Sequence, residues 1–143
     1  MVTDMPMTAP SPTRGRVRVA VYWVSTGAIA AEALVGGALD LARYGPYLRL
    51  LTDLGYPEWL ATIMGGAKLI AGGVVLAPGL PRLKEWAYAG ILINMLGAAA
   101  SHLMAGRAVV NVIPPLAFVV VALVSWGTRP SSRRLAGPGA LAA

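Results

Sequence analysis

Glu32, Lys68 and Asn94 are the side chains of this sequence best placed to do chemistry, because each falls inside an otherwise apolar stretch. For a full helical turn on either side, the neighbours of Lys68 are Gly, Ala, Leu, Ile and Met. A charged group in hydrocarbon is disfavoured by roughly 2.5–3.5 kcal/mol on insertion scales, so this ammonium needs a partner or a role. A glutamate from another helix supplies a partner as an ion pair, and an asparagine can hydrogen-bond to either ion. Such a set can hold the polar end of a lipophilic molecule or a proton. It can equally lock the register of packed helices, a well-attested use of buried polar groups. Asp40, Ser101 and His102 lie at the ends of the same apolar runs and are expected at an outer rim. There Asp40 would cap a helix, pair with Arg43 or stand as a plain solvated carboxylate, and His102 reads as an interfacial histidine with a solvated ring in preference to a proton relay.

Helical spacing aligns Tyr22, Ser25, Glu32, Gly36 and Asp40 on one face of a first helix. It aligns Ala61, Gly65, Lys68 and Gly72 on a second, and Gly90, Asn94, Gly97 and Ser101 on a third. Small residues let membrane helices approach closely, and polar ones seek the bundle interior, so the three faces are expected to point toward one another. At 1.5 Å per residue Lys68 and Asn94 fall near the middle of their helices, and Glu32 about 5 Å nearer the outer face, within reach of a lysine.

Four apolar runs must position these residues: residues 17–41, 58–76, 82–102 and 109–126. The first contains a small-residue Ala28-Ile29-Ala30 that resembles a signal-peptide cleavage site. Apolar residues nevertheless continue through Leu34, Val35 and Leu39, so the run reads as a span of about 25 residues, enough to cross ~30 Å of hydrocarbon. Between the first two runs, Pro46 and Gly55 bracket a segment with Tyr47, Leu50, Leu51 and Leu54 at helical spacing, suited to a short interfacial helix or an irregular loop. Ala77-Pro-Gly-Leu-Pro81 ends the second run, and Pro114-Pro115 predicts a kink in the fourth. Residues 1–16 and 128–143, rich in Pro, Ser, Gly and Arg, are expected to be disordered tails around a transmembrane domain of residues 17–127.

Trp59, Trp86 and Trp126 sit in the end turns of the runs and Trp23 near one, as interfacial aromatic belts require. Eight basic residues lie on the side of the termini and three on the other, which places both termini in the cytoplasm. The expected fold is therefore all-α: an integral membrane four-helix bundle.

Composition excludes several functions. The 143 residues are 57% hydrophobic and 13% charged, too apolar for an ordinary soluble domain. With no cysteine, disulfides, thiolate catalysis and Cys-ligated metals are excluded; with one histidine, bis-His haem within one subunit is excluded too. No nucleophile set or metal site can be assembled, which leans against an enzyme. The net charge of +6 does not indicate nucleic acid, because the arginines flank hydrophobic runs and form no stripe interleaved with stacking aromatics. The partner it implies is the anionic surface of a lipid bilayer.

The chain resembles the DoxX-like family of small four-helix bacterial membrane proteins across residues 20–125. The resemblance rests on Tyr22-Trp23 with Thr26-Gly27, Gly36-Gly37 with Asp40-Leu41, Leu54-Gly55-Tyr56-Pro57, Lys68-Leu69 and Ala77-Pro78-Gly79. Its specific part is Pro81-Arg-Leu-Lys-Glu-Trp-Ala-Tyr-Ala-Gly90, followed by Gly97-Ala98 and Ser101-His102. The family takes its name from a membrane subunit of a thiosulfate:quinone oxidoreductase. The resemblance thus implies the bacterial inner membrane and an accessory or anchoring subunit beside a soluble or membrane oxidoreductase. It implies no intrinsic cofactor, but a quinone or other lipophilic ligand near Lys68, Asn94 and Glu32. Relatives often carry an acid near the Asn94 position; if that acid pairs with the lysine, either Glu32 takes over the pairing with Lys68 here or the site is inactive. Two other readings compete: a proton-coupled exporter of lipophilic cations working as a homodimer, and a purely structural scaffold. Lys68 argues against the exporter, since it would repel a cation in the same chamber.

Overall fold

The computed structural model describes residues 12–135. Its long helices are α1 (Pro12–Leu41), α3 (Trp59–Leu76), α4 (Pro81–Met104) and α5 (Ile113–Thr128), with a short α2 (Gly45–Thr52) between the first two. Among the described residues, four segments are long and apolar enough to cross a membrane: Thr13–Leu41, Trp59–Leu76, Pro81–Met104 and Val109–Thr128. The all-helical fold expected from the sequence is the fold observed, and no strand occurs among the described residues.

Two boundaries differ from expectation. Helix α1 already includes Pro12, the first described residue, so residues 12–16 of the expected tail belong to it, with Arg14, Arg16 and Arg18 on a helix that runs past the apolar run. Proline is well suited to a helix start because its missing N–H would have no partner there. For that reason Pro114 and Pro115 do not interrupt α5. They occupy the first turn of α5, after a single 3-10 turn at Val109–Asn111. At the other terminus a 3-10 turn at Ser131–Arg133 extends the ordered chain into the second expected tail. The remaining tail residues, 1–11 and 136–143, lie outside the described residues.

Helix α1 packs on α3 and on α5, and α4 closes the ring against α3 and α5. Connected up-down-up-down, each helix lies between two antiparallel neighbours. The core holds Ile29, Val75, Tyr88, Ile91, Met95 and Ala122. The outer surface is strongly apolar, with Val24, Ile70, Trp86 and Ile93 at least 70% exposed. In water that surface would be costly, whereas hydrocarbon is its natural solvent.

The α1–α3 seam is the closest approach. A Cβ added to Gly65 would meet the Gly37 carbonyl at 2.7 Å, and one added to Gly37 would meet the Gly65 carbonyl at 2.9 Å. Only glycine permits this backbone-to-backbone contact, which brings the polar faces of α1 and α3 together. The α3–α4 turn passes through Gly79 and Leu80, both with positive φ (67° and 54°). Lys84, completely buried, then reaches back to the carboxyl end of α3. Its ammonium donates to the carbonyls of Val74 (2.6 Å), Val75 (3.2 Å) and Ala77, groups that the end of a helix leaves without partners.

Candidate functional site

The Gly37–Gly65 contact sets Glu32, Asp40 and Lys68 side by side. Lys68 Nζ lies 3.4 Å from Glu32 Oε1 and 3.3 Å from Asp40 Oδ2. Gly36 forms the floor of this cluster: a Cβ there would lie 2.8 Å from Tyr47 Oη, 3.2 Å from Glu32 Oε1 and 3.3 Å from Lys68 Nζ. The absent side chain is the space into which three polar groups converge.

Asp40 is not the solvated rim carboxylate that its position at the end of the apolar run suggested. Its side chain is fully buried and faces Lys68, while Arg43 turns away to Thr62 Oγ1 at 3.5 Å. The reason is rotational. Asp40 lies one turn beyond Gly36 on the same face of α1, and the close α1–α3 seam closes over it. Neither Asp40 oxygen has a well-directed hydrogen bond, so the ammonium's charge is its main compensation. One lysine thus stands between two carboxylates.

Tyr47 was expected only as part of an apolar face. Helix α2 folds it across the cluster, with its ring 5.5 Å from Lys68 Nζ in cation–π geometry. Burial pushes the Tyr47 phenol above its ordinary value near 10, although Lys68 pulls the other way, so the hydroxyl stays protonated at neutral pH. The one signal in the sequence was a tyrosine among the leucines of an amphipathic segment.

Beside the cluster, a cavity of about 440 Å³ opens along the surface between α3 and α4. Its walls are apolar, including Ile63, Met64, Ile70, Ala71, Trp86 and Ile91, and Glu32, Lys68 and Asn94 are its polar side chains apart from the Trp86 indole. Asn94 hydrogen-bonds to neither Glu32 nor Lys68; it lines the cavity opposite them. The α4 stripe of Gly90, Asn94, Gly97 and Ser101 accordingly does not pack inward as expected. The buried face of α4 is Lys84, Ala87, Tyr88, Ile91, Met95 and Ala99. Nothing lies within 4 Å of a Cβ placed on Gly90 or Gly97. These glycines leave room instead: Gly90 in this cavity and Gly97 in a second of about 240 Å³ that shares Asn94 and Met64 with it.

Ser101 is at the far end of that second cavity, where its hydroxyl donates to the Gly97 carbonyl (2.7 Å) and shares a 2.6 Å hydrogen bond with Tyr56 Oη. His102 is half-buried, with Nδ1 enclosed and unpaired, and stands apart from the Lys68 cluster. A second polar cluster, absent from the sequence expectations, lies at the end of the bundle that carries the termini. Thr26, Ser125 and Tyr88 form a buried hydroxyl chain with both spacings at 2.7 Å. Glu85 accepts from Arg129 (2.5 Å) and from the Trp126 indole (2.7 Å). Arg133 lies 4.8 Å over the Trp23 ring and donates to Tyr22 Oη at 3.2 Å. Glu85 near the start of α4 and the arginines of the C-terminal segment thus tie α1, α4 and α5 together at that end.

Compared with protein families, the chain matches the model of the DoxX-like family over residues 24–125. Comparison with curated proteins and with solved structures finds no match.

Proposed function

The chain belongs to the DoxX-like family, and from that premise we propose that it is a membrane-embedded accessory or anchoring subunit that holds a small lipophilic molecule in the α3–α4 cavity. The observation that carries this reading is the 440 Å³ apolar cavity with three polar side chains, Glu32, Lys68 and Asn94, in its lining. Ligand pockets have this character: apolar walls for affinity and a few convergent polar groups for orientation. The residues fit a quinone or another neutral molecule with an acceptor oxygen. The Lys68 ammonium and the Asn94 amide would donate to that oxygen, while Glu32 and Asp40 hold the ammonium in place. Any redox chemistry would be the quinone's own, with a soluble or membrane oxidoreductase as the electron-transfer partner. The eight-to-three asymmetry of basic residues supports an orientation with both termini in the cytoplasm.

The test is to extract the protein gently in native lipid and identify what travels with it by mass spectrometry, for wild type and Lys68→Met. A quinone or similar acceptor bound to wild type and lost from the variant supports the reading. Bulk lipid alone in both samples, with no oxidoreductase copurified, overturns it.

A further inference from the structure

A different furrow runs between α1 and α5. Two cavities lie end to end there and share Val21. The inner one, about 450 Å³, is walled by Ala20, Val24, Ala28, Val120, Val121 and Val124, with Ser25 as its one hydroxyl. That hydroxyl is already committed to the Val21 carbonyl at 2.6 Å. The outer one, about 300 Å³, is lined by Arg14 and Arg18 together with Val17, Thr13 and Thr128. Small residues on α1 facing valines on α5 leave the trough, and the two arginines close its end.

Arg14 and Arg18 are four residues apart and therefore share a face of α1. Arg18 is tethered over the furrow by a 3.5 Å hydrogen bond to the Gly127 carbonyl. Residues 12–31 contain no carboxylate, and Glu85 at the same end of the bundle is taken by Arg129. From Arg14 to Ala28 the furrow runs about 21 Å along the helix, from the headgroup level well into the hydrocarbon. An apolar trough of that length ending in two guanidinium groups matches an acyl chain with a phosphate at its head, because guanidinium pairs with phosphate oxygens through parallel hydrogen bonds.

We propose that the α1–α5 furrow binds one anionic phospholipid, its acyl chain along Ala20–Ala28 and its phosphate on Arg14 and Arg18. This site is separate from the α3–α4 cavity and does not depend on the ligand proposed there.

The experiment is native mass spectrometry of the full chain equilibrated with equal amounts of phosphatidylglycerol and phosphatidylcholine. Wild type is expected to retain one phosphatidylglycerol. Arg14→Gln with Arg18→Gln is expected to weaken that retention roughly thirtyfold, as two basic contacts at an anionic surface would. Ala20→Leu with Ala28→Leu, which fills the trough and leaves the charge untouched, is expected to abolish it. Arg49→Gln with Arg82→Gln removes the same charge elsewhere and is expected to change nothing. Undiminished retention in either furrow variant overturns the proposal, as does equal loss in the Arg49/Arg82 control. So does a lipid-free dimer that the leucine variant dissociates, since a second copy would then fill the furrow.

Discussion

The Asp40 carboxylate, fully buried, lies 3.3 Å from the Lys68 ammonium, which Glu32 approaches at 3.4 Å from the other side. Removing either charge class alone therefore leaves an uncompensated ion away from water. Lys68→Met is expected to lower stability by about 3–5 kcal/mol, the usual consequence of breaking a buried pair. Adding Glu32→Gln and Asp40→Asn to that variant should recover most of the loss. Thermal unfolding in one detergent, measured across the series, checks this; a fully stable Lys68→Met would contradict the buried cluster.

Gly65 faces the Gly37 carbonyl across the α1–α3 seam, where a Cβ would stand 2.7 Å away. Gly65→Ala should force the helices apart and cost roughly 1–3 kcal/mol, as overpacking does. Gly97→Ala, whose Cβ meets nothing within 4 Å, should have little effect on the melting temperature. Equal melting of the two variants would refute the seam.

Gly90 lines the α3–α4 cavity, and its Cβ direction is open. Gly90→Leu is expected to fill the cavity while the protein still folds, and so to remove any copurifying ligand. A folded Gly90→Leu protein that keeps the ligand would place the ligand elsewhere.

Tyr47 covers the Lys68 cluster from α2, with its hydroxyl in the space above Gly36. An amine-reactive reagent that cannot cross lipid should leave Lys68 unmodified in intact cells. Tyr47→Ala should expose it to labelling from the side of α2, whereas Tyr47→Phe, which keeps the ring, should largely protect it. Rapid labelling of Lys68 in the wild type would show that the cluster is open to water.

Lys84 joins the two ends of the α3–α4 turn by donating to three carbonyls at the end of α3. Lys84→Met leaves those carbonyls short of donors and is expected to cost about 1–3 kcal/mol. Arg133, which reaches the Val75, Leu76 and Ala77 carbonyls at 3.3–3.4 Å, should become more important in that background. Arg133→Gln should therefore destabilise Lys84→Met more than wild type, measurable as a double-mutant cycle of unfolding midpoints. Strict additivity would show that the two cations act independently.

The hydropathy of this chain determined by itself that four helices form and roughly where they begin and end, because burial in lipid is decided residue by residue along a single segment. It also singled out Lys68 and Glu32, since a charge in an apolar run is visible without knowing its surroundings, and their depths along the helices brought them within reach. The family resemblance read from local motifs was likewise available before any fold. Tertiary structure alone decided which way each helix turns. Small residues were read as contact on both α3 and α4, yet Gly65 meets a backbone while Gly90 and Gly97 face open space. A glycine stripe permits close approach without requiring it, and only the rotation of the neighbouring helix selects between contact and cavity. The same rotation drew Asp40 inward from its expected rim and laid Tyr47 over the ammonium, because both positions depend on a seam between segments distant in sequence.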